Sequence, residues 1–234
     1  MKSKFPILIA FEGIDGCGKS TQIHMLKEYL IAKGYQVCVK KWFSNKAVKD
    51  VLSKFSNSSY ANDMLGAIMI ATEFVISYDE ITNDYADSYD FIIFDRYVYT
   101  AYARDGVRGT PDNLLRILYS NAMRPDITFY LSLDPEKAYL RKNNANARIG
   151  YFESGLDLQQ ENIAEGLKLF ASNMISKDEI KKSYIDFQQK IIFKYCMMKE
   201  YNDFVKIDAN QSIKEIFSTI LMEADNIIHK RMDY

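Results

Sequence analysis

Eight residues near the start of the chain, Gly13-Ile14-Asp15-Gly16-Cys17-Gly18-Lys19-Ser20, fit the spacing G-x-x-x-x-G-K-[ST] in full. The chemistry of such a run is phosphate binding. Glycines let the backbone curl into a nest whose N–H groups converge on phosphate oxygens. The following helix offers its N-terminus to the same charge. The lysine bridges the outer phosphates and the serine hydroxyl ligates Mg²⁺. Gly13, Asp15, Gly16, Cys17, Gly18, Lys19, Ser20 and the adjoining Thr21 are the expected ATP-binding residues. Asp15 is the odd member, because an acid inside an anion-binding nest is electrostatically costly. Either it faces something other than the donor phosphates, such as a substrate hydroxyl, or it is a turn-capping aspartate.

These residues need elements to position them. Residues 7–11 form a continuous apolar run that suits a strand buried on both faces. Residues 20–33 read as a helix with Ile23, Leu26 and Leu30 on one face, stopped by Gly34. A strand at 36–42, a short helix at 46–55 and a Ser/Asn turn at 56–59 follow. The helix predicted at 64–81 is apolar on nearly every side, so it is either core or a subunit interface. A strand at 90–94 ends in Asp95. Gly106, Gly109 and Pro111 mark a loop before a helix at 112–122. A strand at 126–133 and a helix from Pro135 come next. Residues 142–157 are polar and irregular, which reads as a mobile loop within one domain. Helices over 158–200, a strand at 204–207 and an amphipathic helix at 213–228 complete the chain. Strands alternating with helices predict an α/β fold with a parallel five-stranded sheet flanked by helices, in one domain over 1–234.

Composition excludes other classes. With 30 basic and 31 acidic side chains the chain lacks the basic excess of a duplex nucleic-acid binder. Cys17, Cys38 and Cys196 are scattered and odd in number, which reads as free thiols in a reducing compartment. Two histidines do not make a multi-histidine metal site. No apolar stretch reaches membrane-spanning length and the start is too short for a signal peptide, so a cytoplasmic location is expected, with no membrane partner.

Further motifs extend the first. Phe11-Glu12-Gly13-Ile14-Asp15-Gly16-Cys17-Gly18-Lys19-Ser20-Thr21, Phe94-Asp95-Arg96-Tyr97, Arg124-Pro125-Asp126-Ile127-Thr128-Phe129-Tyr130-Leu131 with Asp134-Pro135, and Ile207-Asp208-Ala209 stand in order along the chain. Together they resemble the thymidylate kinase family of P-loop nucleoside monophosphate kinases over most of the chain. The resemblance implies a P-loop NTPase fold with a lid at about 142–157. It implies ATP and Mg²⁺ as cofactors and phosphorylation of a nucleoside monophosphate, dTMP to dTDP or a related deoxynucleotide. By position it implies that Lys19 and Ser20 serve ATP and Mg²⁺, and that Asp15 contacts the acceptor's 3′-hydroxyl. Asp95 would lie near the metal through water, and Arg96 would hold the acceptor phosphate or the transferring group. The segment around Arg148 would be the lid, and loops near Asp208 and Asn210 would face the adenine. The chemistry points to the same groups. Phosphoryl transfer needs charge neutralisation and in-line positioning more than covalent help. An arginine at a strand's carboxyl end, as Arg96 is, stands where α/β sheets place ligands, although a structural ion pair is its other reading. Arg148 could close over ATP as an internal arginine finger, with Arg141 and Lys142 competing for that role. Lys19, Arg96 and Arg148 are thus the expected catalytic set.

The acceptor side departs from the resembled family. The helix at 64–81 usually carries a phenylalanine that stacks on the base and, four residues on, an arginine for the acceptor phosphate. Here those positions hold Ile70 and Phe74. The change removes a bidentate clamp and a flat stacking face, with Phe74 read either as an aromatic face one turn away or as core. After Tyr97 the loop contains Arg104 and Asp105. Arg96 and Arg104 together are expected to hold the acceptor phosphate, with Arg108 either helping or bracing the loop. Acceptor binding is therefore assigned to Asp15, Arg96, Arg104, Ile70 and Phe74. Two readings compete with a dTMP kinase: a kinase for a modified or non-thymine monophosphate, and a nucleotide-binding regulator without kinase activity. The apolar helix at 64–81 is read as a homodimer contact or as simple burial.

Overall fold

A computed structural model describes residues 5–56, 63–80, 88–160 and 162–232. Its strands are β1 (Ile7–Glu12), β2 (Val37–Lys41), β3 (Phe91–Asp95), β4 (Ile127–Ser132) and β5 (Val205–Asp208). They form one sheet in the order β2-β3-β1-β4-β5, every pair parallel. All six residues of β1 are buried, the apolar run 7–11 as its central place requires and Glu12 with them. Phe11 pairs with both Asp95 and Phe129, and Lys41 pairs with Asp95, so the carboxyl ends of four strands lie side by side.

The helices are α1 (Lys19–Ala32), α2 (Lys46–Ser56), α3 (Asp63–Glu80), α4 (Val98–Val107), α5 (Asp112–Leu118), α6 (Pro135–Asn144), α7 (Tyr151–Ser154), α8 (Ile163–Ala171), α9 (Lys177–Met197) and α10 (Ile213–Met232). Their starts follow local chemistry. The Asp134 side chain accepts from the Glu136 and Lys137 amides, with Pro135 in the first turn of α6. Ser176 and Glu179 form a reciprocal capping box on α9. None of the described helices is long and apolar enough to cross a membrane.

Three expectations are corrected. Gly106 does not mark a loop: it lies buried in the last turn of α4, whose apolar stripe packs along α9. That burial outweighs the roughly 1 kcal/mol cost of a helical glycine. The next helix ends at Leu118 rather than 122. The third correction concerns 142–157. Tyr151, Ser154, Leu156 and Asp157 are buried, and Gly155 lies at φ +73° where an added Cβ would stand 2.5 Å from Phe187. The second half of this segment is therefore seated on α9, and the irregular part shrinks to 145–150. The Ser/Asn turn falls largely outside the described residues. In α3, Ala67, Ala71 and Phe74 are buried while Met64, Ile68, Val75 and Ile76 are exposed.

Candidate active site

The loop between β1 and α1 is held tightly against the sheet. Gly13 has φ +130°, and a Cβ there would meet the Leu131 carbonyl oxygen at 2.5 Å, so only glycine lets β4 approach so closely. Lys19, at the start of α1, is buried and folds back onto the loop. Its Nζ donates to the Gly13 and Ile14 carbonyls at 3.0 and 2.9 Å. Ser20 is exposed beside it, and its Oγ donates to Asp95 Oδ2 at 3.3 Å. A hydroxyl and a carboxylate facing one another are hard oxygen donors that suit Mg²⁺.

Asp15 joins two arginines. Arg96 Nη2 reaches its Oδ1 at 2.5 Å and Arg104 Nη1 reaches its Oδ2 at 2.6 Å. Burial pushes the Asp15 carboxyl up. The charges of Arg96, Arg104 and Lys19, with the Arg104 hydrogen bond, outweigh that and hold it well below the usual carboxylate range. Its main-chain oxygen accepts from Tyr184 Oη at 2.7 Å. Arg96 sits at φ +74°, a sparsely populated conformation for a non-glycine residue. It is held there by Nη1 donating to the Gly13 carbonyl at 3.0 Å and to Thr100 Oγ1 at 3.3 Å.

Behind this cluster lies a residue to which sequence reasoning gave no role. Glu12 ends β1 fully buried. Its Oε1 accepts from the Tyr97 and Thr100 amides at 2.9 and 3.2 Å, and its Oε2 from Thr100 Oγ1 and Tyr195 Oη at 2.6 and 2.7 Å. Burial raises its pKa above the ordinary 4.5, only partly offset by the Thr100 and Tyr195 hydrogen bonds, the Arg96 charge and the Tyr97 amide. The carboxylate caps the first turn of α4 and so fixes the helix that carries Arg104. The available signal was an acid closing an otherwise apolar strand.

The cluster opens into a cleft of about 700 Å³, lined by the phosphate loop, Ser20, Asp95, Arg96, Arg104, Ile70 and Trp42 among others. Trp42, just beyond β2, was also missed. Of the two α3 residues assigned to the acceptor, Ile70 lines the cleft and Phe74 does not. Its ring is 7% exposed and lies within 5.6 Å of the rings of Trp42, Tyr78, Tyr97 and Tyr119. Aromatic packing has drawn it into the core.

Arg148 is not brought to the phosphate loop either. It is exposed, with its guanidinium over the Phe170 ring at 5.4 Å, and is not among the residues lining the cleft. The basic groups from α6 that do line it are Arg141 and Lys142. Arg141 donates to the Ala209 carbonyl at 2.7 Å and the Cys17 carbonyl at 3.5 Å, while Lys142 is ion-paired with Glu153. Arg108 braces. Its guanidinium bonds buried Asp157 at 2.7 Å and the Phe152 carbonyl at 2.8 Å, tying the end of α4 to α7 and the segment after it. At the end of β5, Asp208 Oδ1 accepts from the Asn210 amide and side-chain Nδ2 at 2.9 and 2.6 Å, and Asn210 Oδ1 accepts from Lys137 Nζ at 2.8 Å.

A family model described as thymidylate kinase matches residues 11–170. A probable thymidylate kinase 2 of Saccharolobus solfataricus is 31% identical, over 90% of this chain and 91% of that protein. A thymidylate kinase of Chlorobaculum parvum is 32% identical over 92% and 94% of the two chains, and one of a Thermoanaerobacter species 26% identical over 94% and 97%. The match covers the phosphate loop, Asp95, Arg96, Arg104 and the segment after α6.

Proposed function

The chain belongs to the thymidylate kinase family, and from that premise we propose that it transfers the γ-phosphoryl group of ATP to the phosphate of dTMP or a closely related deoxynucleotide. It is a nucleoside monophosphate kinase. The observation that carries the finer reading is the pair of guanidiniums, Arg96 and Arg104, converging on one carboxylate beside the phosphate loop. A site that offers two forks to a carboxylate offers the same forks to a phosphate.

The residues then divide the work. The loop amides and Lys19 take the donor phosphates, Lys19 exchanging its carbonyl partners for phosphate oxygens. Ser20 and Asp95 would hold Mg²⁺, which supplies neutralisation of the phosphate charge. Arg96 and Arg104 orient the acceptor phosphate toward the donor, the positioning on which phosphoryl transfer depends. Asp15, charged and held between them, meets a sugar hydroxyl of the acceptor in this reading. Residues 145–150 are the part of the lid free to close, and Arg148 would have to leave Phe170 to act as a finger. A second reading, a non-thymine or modified base, is favoured by the aliphatic Ile70 and the withdrawal of Phe74 into the core.

The test is a coupled assay with ATP and Mg²⁺ on dTMP, dUMP, modified pyrimidine and purine monophosphates. Turnover of dTMP or a near relative is the expected result. Tight ATP binding with no phosphorylated monophosphate would defeat the kinase reading in favour of a regulator.

A further inference from the structure

Resting on the reading that the acceptor is a nucleoside monophosphate, we propose that Trp42 is the platform on which the acceptor's base stacks. The need for such a platform comes from α3. A base bound in a water-filled cleft is gripped chiefly through its π-face, because every base has one. Ile70 presents no ring to the cleft, and the Phe74 ring is enclosed by other rings.

Among the described residues, the aromatic side chains lining the cleft are Trp42, Phe43 and Phe152. Phe43 lies beneath Lys49, whose Nζ is 5.5 Å from its ring centroid. Phe152 belongs to the lid side and is 41% exposed. Trp42 differs from both. Its ring packs at 5.6 Å on Phe74 and 5.8 Å on Tyr119, tilted by 39° and 38°, yet the residue remains half-buried and borders the cleft. An indole supported from behind and open in front is held in place before a ligand arrives, so binding costs little ordering entropy.

Its placement fits the phosphate clamp. The Trp42 amide donates to the Asp95 carbonyl at 3.0 Å, pinning the residue one hydrogen bond from the strand end that leads into Arg96. Ile70 and Phe74 are four residues apart on one face of α3, so a ring touching Phe74 lies one turn from Ile70. The next residue, Phe43, sits at φ +50°, a conformation rare for a side chain of its size that turns the chain at the rim of the cleft. Phosphate clamp, indole and aliphatic wall thus border one end of the cleft, away from the Arg141 and Ala209 contacts on the β5 side.

Trp42 is the chain's only tryptophan, so its emission reports on this spot alone. The experiment combines a fluorescence titration with kinetics of Trp42→Leu and Trp42→Phe. Saturable quenching of wild-type emission by the acceptor is expected. Trp42→Leu should raise the acceptor KM about tenfold or more, and Trp42→Phe should recover most of the loss. In Trp42→Leu the KM for ATP should stay within about twofold, and so should the inhibition constant of 2′-deoxyribose 5-phosphate, which has the phosphate and no base. An unchanged acceptor KM in Trp42→Leu overturns the proposal. So does an equal loss for the acceptor and the base-free phosphate, which would make Trp42 a brace for the wall. If the wild type phosphorylates no monophosphate, the kinase reading falls on its own. The emission of Trp42 under dTMP then decides: saturable quenching upholds the platform and an unchanged spectrum removes it.

Discussion

Removing Arg104 tests the acceptor clamp most directly. Its Nη1 lies 2.6 Å from Asp15 Oδ2, and the two side chains are 19% and 20% exposed. A charged hydrogen bond in such a setting contributes roughly 1.5–3 kcal/mol. At 1.36 kcal/mol per tenfold, Arg104→Ala should lower acceptor kcat/KM about 10- to 150-fold. Asp15 keeps Arg96 and the nearby Lys19 charge, so the fold should survive with a modest fall in Tm. Arg104→Lys should fall between, since a point charge replaces a fork. The assay is a coupled one with varied acceptor at saturating ATP, then with varied ATP at saturating acceptor. KM for ATP should move less than about twofold. A double-mutant cycle with Asp15→Asn separates two routes. If Arg104 touches the acceptor phosphate itself, much of its loss persists in the Asp15→Asn background. An unchanged acceptor kcat/KM in a folded Arg104→Ala protein would refute the clamp, and complete non-additivity would reduce Arg104 to a partner of Asp15.

Other consequences are open to measurement. The Asp15 carboxyl is held below its ordinary 3.8, so its stabilisation is complete above that value and is lost as pH falls below it. Asp15→Asn should flatten the acid side of a Tm-against-pH curve, and parallel curves would contradict this. Glu12 titrates in the opposite sense. Its pKa is raised above 4.5, so its contribution declines as pH rises through the interval above that value, a trend that Glu12→Gln should abolish in the same measurement. Arg108→Ala removes a partner from Asp157, whose side chain is 1% exposed, at a cost of about 3–5 kcal/mol. Denaturant melts and faster proteolysis within 142–160 should register it. If Met64, Ile68, Val75 and Ile76 on α3 form a two-fold contact, Val75→Asp should shift sedimentation from dimer to monomer. A wild type that sediments as a monomer removes that contact.

The sequence by itself determined what depends on neighbours along the chain. The phosphate loop is one contiguous run, so its nest, its lysine and its serine were all legible from spacing. Apolar runs and cap residues likewise placed the five strands and most helices. Asp15 announced itself as misplaced among phosphates, and the family resemblance made Arg104 a candidate to replace an absent arginine. Their meeting on one carboxylate, 89 positions apart for Asp15 and Arg104, is a consequence of β1 and β3 pairing side by side. Tertiary structure alone decided the rest. A side chain's surroundings come from residues remote in sequence. Phe74 became core because Trp42, Tyr97 and Tyr119 surround it. Arg148 turned to Phe170 because α8 brings that ring within 5.4 Å of its guanidinium. The polar segment around 151–157 became buried because Arg108 and Phe187 receive it. Glu12 showed only as an acid closing an apolar strand, and Trp42 carries no local signature of its place beside the cleft. Packing put one beneath the arginine clamp and the other along the cleft wall.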